Sequence, residues 1–408
     1  MTISNINKFF YLIVSISLFA GLYIGEDSAG SGGFILDFNS TWPLVENPFR
    51  SDLTEYDIKF PLHYYIASAV YYVSNDKSFL KFFYCMVALT TQYIFYICLK
   101  KKFKEVNNDN LFLFSLVILL LPSLRSAAIW PNTQITGIFF FLISTYYFIN
   151  WEIKKNYELF NKELFLTIFF MSLTVYTRQI YAMIFLYLMT VFYKKLSRKI
   201  FVQCALTTFL FSIPGVFFII FWPAIIKATF VFKIYNSLLV NASIISLYLI
   251  PFFLIINFFN EKIIKINLRN LIIFILISII VTASALLFDY NFKMGGGFFI
   301  KLSLILFDNL MLFYTTSIIG FYLLYVLCNK ILLNYILTVL ILVAVSGYIV
   351  FQKYYEPMFI FLLFFYYKTN LTILFLNKKN NIYLFHIFFI TYLLSALAND
   401  FLKLTKNL

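Results

Sequence analysis

The sequence predicts an all-α, polytopic transmembrane helical bundle of about 11 to 13 helices, with a large first extracytoplasmic loop carrying interfacial helices. Three observations predict it. The chain is 62% hydrophobic and 12% charged, with a mean hydropathy of +0.86, whereas a soluble domain carries roughly a quarter charged residues. Apolar runs close to the length of a bilayer crossing recur from end to end. Lysine and arginine fall in short clusters between those runs.

A crossing helix needs about 20 apolar residues. The runs that approach this length are 8–24, 79–99, 111–125, 133–150, 164–176, 179–193, 200–221, 243–260, 270–288, 310–328, 331–350, 357–376 and 381–398. The first follows Lys8 and lacks a small-x-small cleavage site, so it reads as a retained helix. With Lys8 on the cytoplasmic side, successive crossings bring Lys100–Lys104, Lys154–Lys162, Lys194–Lys199, Lys262–Arg269, Lys330 and Lys378–Lys379 to that same side. This parity makes 164–176 and 179–193 a short pair that enters and returns, with Thr177 and Arg178 at its tip. It also lays 60–74 along the membrane surface, with Pro61 opening the helix. The whole of 1–408 reads as one transmembrane domain, multi-pass in a cell (cytoplasmic or inner) membrane with its N-terminus inside. Residues 25–78 form the large outer loop.

The net charge of +14 does not point to nucleic acid, because the basic residues sit at helix ends rather than on a continuous stripe. Cys85, Cys98, Cys204 and Cys328 are scattered, with neither disulfide spacing nor a histidine cluster for zinc. There is no phosphate-binding GxxxxGK[ST] loop and no HExxH helix.

Polar chemistry concentrates in 25–78, which holds Glu26, Asp27, Asp37, Glu46, Asp52, Glu55 and Asp57. Carboxylates at the end of a membrane helix stand at the water boundary, where they can take a proton from an acceptor or hold a divalent cation. Gly30, Gly32 and Gly33 follow directly and allow close backbone approach to a ligand. His63, in Phe60-Pro61-Leu62-His63-Tyr64-Tyr65, is either an interfacial polar residue or a site residue. Arg178 and Gln179 lie between two apolar runs, and an arginine at such a position needs a partner or an aqueous cavity. Its fork geometry matches phosphate oxygens. Arg125, Lys293, Lys353 and the neighbouring Tyr354 add polar groups expected on the same outer side.

Taken in order, these motifs resemble the GT-C class of membrane glycosyltransferases, which use polyprenyl-phosphate-linked sugars. Glu26-Asp27 and Asp37 match the acidic opening of that class's first outer loop, in the order Glu-Asp where the family often has Asp-Glu. Phe60-Pro61-Leu62-His63-Tyr64-Tyr65 is similar to a Pro-Pro-Leu-Tyr-Tyr run with one proline missing. Tyr176-Thr177-Arg178-Gln179 looks like the arginine-tipped pair, and its Arg-Gln resembles that of the dolichyl-phosphate-glucose-dependent glucosyltransferases. Lys353-Tyr354-Tyr355-Glu356-Pro357 is similar to an Arg-Tyr-x-x-Pro segment before a late helix.

The resemblance implies inverting transfer of a sugar from a polyprenyl-phosphate donor to a glycan or lipid-linked acceptor on the extracytoplasmic side, in cell-surface glycan assembly of the bacterial type. Asp27, then Asp37, with Glu26 beside them, are the candidate base residues. Asp27 and Asp37 would also be the ligands of any Mg or Mn ion. Arg178, Gln179, His63, Arg125, Lys293, Lys353 and Tyr354 are the candidate binding residues. Two other classes stay open on the residues alone: an O-antigen or capsule-type polysaccharide polymerase, and a lipid-linked-sugar transporter. The polymerase reading fits less well because its large loop falls later in the chain, and the transporter reading lacks a visible internal repeat.

Overall fold

The computed structural model describes residues 3–29, 32–49, 60–155, 157–221, 234–259, 267–290, 295–346 and 349–406. Among them there is no strand. The helices divide into two compact units, Met1–Ala228 with His386–Leu408, and Thr229–Phe385.

In the first unit, α1 (Asn5–Ile24) starts at the Ser4 cap and stops at Gly25, which takes the left-handed conformation at φ 72°. The chain then forms a π-helical turn, Gly32–Asn39, and the short α2 (Trp42–Glu46) with Pro43 in its first turn. After α3 (Leu62–Ser74), Asp76 caps α4 (Lys77–Lys102) by accepting from Ser78 N and Phe79 N. That 26-residue helix is about 39 Å long, enough to cross a bilayer.

The expected span 111–125 is not one straight helix. α5 (Asn108–Ser115) tightens into a 3₁₀ turn over Leu116–Leu120, and α6 (Pro122–Ile129) leaves it at 66°. Pro122 has no N–H to continue the ladder, so the chain turns there. Every residue of α6 is buried, Arg125 included. Asn132 caps α7 (Thr133–Lys154), accepting from Gln134 N at 2.8 Å. α8 (Lys162–Val175) and α9 (Ala182–Lys195) have 14 residues each, about 21 Å, short of the roughly 30 Å hydrocarbon core. α10 (Arg198–Phe221) carries Pro214 in its interior.

In the second unit, α11 (Ile234–Phe259) is the central helix, with 89% of its apolar window buried. It packs against α14 (Met311–Cys328), where Ser317 Oγ donates to Leu239 O at 3.0 Å and Ser243 and Thr316 share a hydroxyl contact. By contrast α12 (Leu268–Ala285) has only 6% of its window buried, and α10 only 11%, as lipid-facing helices do. Residues 297–307, expected in an outer loop, form the apolar helix α13 (Gly297–Phe307). The expected span 331–350 ends early: α15 is Leu332–Ala344. The expected span 357–376 is broken, with α16 (Met358–Phe361), a π-helical turn to Tyr366, and α17 (Leu371–Asn377) bent by 104° from the segment before it. α18 (Lys379–Lys406) starts in the second unit and belongs to the first from His386 on.

Seven described helices are long and apolar enough to cross a membrane, nine if each bent pair counts as one span. The chain is thus an all-helical multi-pass membrane protein, with fewer such helices among the described residues than the 11 to 13 expected. The breaks at Pro122 and after Tyr366, and the short α8, α9 and α15, account for part of the difference.

Candidate functional site

Most of the first unit's candidate site residues gather around one corner, the stretch of α6 and α7 from Pro122 to Gly137. Glu26 and Asp27 reach it from the end of α1. Glu26 meets Arg125 through two bonds, Nε to Oε1 at 2.8 Å and Nη2 to Oε2 at 2.6 Å, with both side chains 3% exposed. The guanidinium also donates to Ser17 Oγ and Ser17 O. Trp130 Nε1 donates to the Glu26 carbonyl at 2.9 Å. The close fit depends on Gly21, where a β-carbon would collide with Glu26 Oε2 and stand 3.1 Å from Arg125 Nη2.

Asp27 is handled differently. Its Oδ1 accepts from Gly33 N at 3.2 Å and Ser126 Oγ at 3.1 Å, and its Oδ2 accepts from Phe34 N at 3.0 Å. It is buried at 6% exposure and, among the described residues, forms no ion pair. Neutral donors therefore hold this buried carboxylate in a fixed orientation. The first turn of the π-helix supplies both N–H groups. Gly33 is required there, because a β-carbon would collide with Ser126 Oγ and lie 2.7 Å from Asp27 Oδ1.

Asp37 lies at the other end of the same π-helical turn, where its Oδ2 accepts from Asn132 Nδ2 at 3.2 Å. Asn132 thus serves twice, capping α7 through its oxygen and holding Asp37 through its nitrogen. His63, near the start of α3 and 1% exposed, has Nδ1 2.7 Å from Thr136 Oγ1 and 3.4 Å from Tyr84 OH. One residue on, Gly137 borders the Arg178 turn: a β-carbon on it would be 2.8 Å from Thr177 Oγ1 and 3.7 Å from Arg178 Cγ. Arg178 is 7% exposed and leads into the 3₁₀ turn Gln179–Tyr181, whose half-buried first residue is Gln179.

Five sequence-derived candidates, Glu26, Asp27, Asp37, Arg125 and His63, are thus bonded to the α6–α7 corner or lie within it, and Arg178 stands beside it. Lys353 and Tyr354 belong to the second unit, in the 3₁₀ turn Gln352–Tyr354, with Lys353 Nζ 5.1 Å from the Phe351 ring. Lys293 lies outside the described residues, as do Gly30 of the glycine run and Asp52, Glu55 and Asp57 of the loop.

Sequence reasoning missed Ser126, Trp130, Asn132 and Thr136, which orient the candidates. It also missed Lys77 and Lys81. Lys81 Nζ stands 3.6 Å over the Trp130 ring and 5.4 Å from that of Phe38, and Lys77 Nζ stands 4.0 Å over Trp42. These cation–π contacts wall one side of the acidic turn. The signal for them was a lysine pair at i, i+4 on the first turn of a helix facing an aromatic-rich loop.

Asp27 and Asp37 fit a divalent cation poorly. Both Asp27 oxygens already accept hydrogen bonds, and an amide N–H₂ donates to Asp37 Oδ2. Among the described residues no three His, Cys, Asp or Glu side chains cluster as metal ligands would. Comparison of the chain with protein-family models, with curated proteins and with solved structures finds no match.

Proposed function

We propose that the protein is a membrane glycosyltransferase that moves a sugar from a polyprenyl-phosphate-linked donor to a hydroxyl of a glycan or lipid-linked acceptor on the extracytoplasmic side. The observation that carries this reading is the contrast between neighbours: Glu26 is ion-paired with Arg125, whereas Asp27 is held by neutral donors. A charged carboxylate with fixed orientation is the requirement for a general base.

In this reading Asp27 takes the proton of the acceptor hydroxyl as its oxygen bonds to the sugar's anomeric carbon. The bond from that carbon to the donor phosphate breaks, and the polyprenyl phosphate leaves with the electron pair. Arg178 offsets the charge that grows on the departing phosphate. Asp37 and His63, held by Asn132 and Thr136, shape the acceptor side. Glu26 and Arg125 fix the end of α1 against α6.

Purified protein incubated with a panel of polyprenyl-phosphate sugars should release polyprenyl phosphate with at least one donor, and Arg178→Ala should slow the release by about 100-fold or more. Sugar-dependent uptake into vesicles without release from any donor would replace the transferase with a transporter.

A further inference from the structure

Pro214 has no N–H to offer the Leu210 carbonyl one turn back, so α10 lacks one ladder bond in its interior. The next step of the ladder is contacted by a side chain from α8's end. The Tyr176 hydroxyl donates to Phe211 O and accepts from Gly215 N at 3.0 Å, the two groups that an uninterrupted helix joins to each other. A phenol therefore bridges the two ends of the ladder step beside the proline. The phenol fits because residue 215 is glycine: a β-carbon there would stand 3.1 Å from Tyr176 Cε1.

Beyond Pro214, Phe218 packs against Phe60 at 6.4 Å between ring centroids, and Phe60 packs edge-on to Tyr176 at 5.6 Å. Tyr176 itself lies two residues before Arg178, in the turn whose backbone is fixed by Tyr176 N to Ser172 O and Arg178 N to Thr174 O. The outer turns of α10, the start of α3 and the Arg178 turn thus meet at one side chain. Before the proline, α10 is held by Phe211 against Phe165 and Phe169, and by Phe201 against Tyr193.

We propose that Pro214, Gly215 and the Tyr176 phenol form a hinge in α10, with Phe218 against Phe60 as its latch, and that swinging of the outer turns of α10 is transmitted through Tyr176 to the Arg178 turn. A helix that lacks a ladder bond bends at that point, and the phenol decides how far. Its effect on sugar transfer rests on the proposed function, but the hinge does not.

Electron-spin labels at Ile220 and Tyr23, both exposed, read the outer end of α10, and labels at Leu206 and Tyr23 read its inner half. The four native cysteines are buried. Tyr176→Phe should shift or broaden the 220–23 distance by about 3 Å, the travel of a lever roughly 9 Å long turned through about 20°, and leave 206–23 unchanged. Pro214→Ala, which restores the missing donor, should narrow the 220–23 distribution. Wild-type distributions in both variants, or equal changes at both label pairs, would overturn the hinge. A 220–23 distance that responds to Tyr176→Phe but not to added polyprenyl phosphate would keep the hinge and count against the proposed donor.

Discussion

Both units bury acidic side chains, three in the first around one corner and Glu356 among the described residues of the second, in different company. At the α6–α7 corner of the first, three carboxylates contributed by one stretch of chain meet a guanidinium, two backbone N–H groups, a hydroxyl and an amide. In the second, Glu356 is 1% exposed and accepts from Tyr248 OH at 3.0 Å; Tyr248 accepts from Gln352 Nε2, and Gln352 Oε1 accepts from Phe298 N. That chain of bonds runs from α11 through a 3₁₀ turn to the first turn of α13, a route that ties elements together. The first corner does this too, through Glu26 and Arg125, but it also holds Asp27 in place without an ion pair among the described residues. Burial of a carboxylate alone does not mark a reactive group. Within the first corner the donors differ between neighbours, a guanidinium on Glu26 and neutral groups on Asp27.

Three substitutions sharpen that contrast. The largest expected loss of stability is from Arg125→Met, which leaves Glu26 buried without its partner; about 3–5 kcal/mol should be lost, seen as a lower unfolding midpoint in detergent. Adding Glu26→Leu should recover much of it, because the uncompensated charge is then gone. Next is Gly33→Ala, whose methyl group must displace Ser126 or Asp27. Overpacking of this kind costs roughly 1–3 kcal/mol, and it should lower transfer more than it lowers stability. Smallest is Tyr248→Phe in the second unit, which removes one buried donor to Glu356 at a cost of about 1–2 kcal/mol. Thermal unfolding should register it while transfer per folded molecule stays at the wild-type value.

The sequence made the long helices legible because their apolar runs are continuous: α1, α4, α10, α12 and α14 fall where hydropathy puts them, while α11 starts at Ile234, well before the expected 243. It hid the breaks. A hydropathy average runs through Leu121-Pro122 and through Tyr366-Tyr367-Lys368 without registering a bend, since the flanking residues are apolar on both sides. It located the acidic cluster after α1 and singled out Arg125 and Arg178. It could not show that Glu26 and Arg125, 99 residues apart, neutralise each other, because no local spacing encodes that pair. Asn132 and Thr136 were invisible for a related reason. Read locally they are a helix cap and a first-turn threonine, and their second roles exist only once Asp37 and His63 are brought against them. The Tyr176 bridge likewise needs α8 beside α10, although Pro214 inside an apolar run marked the spot.

The central claim is that neighbouring carboxylates divide the work, Glu26 holding the fold and Asp27 carrying the chemistry. The most direct measurement compares Glu26→Gln with Asp27→Asn, recording the release of polyprenyl phosphate and the unfolding midpoint on the same preparations. Asp27→Asn, which sets an amide N–H₂ against one of the donors that Asp27 accepts from, should lose about 100-fold or more in turnover per folded molecule beside about 1–3 kcal/mol of stability, while Glu26→Gln should lose stability with turnover per folded molecule kept. A folded Asp27→Asn protein with wild-type turnover would contradict the account.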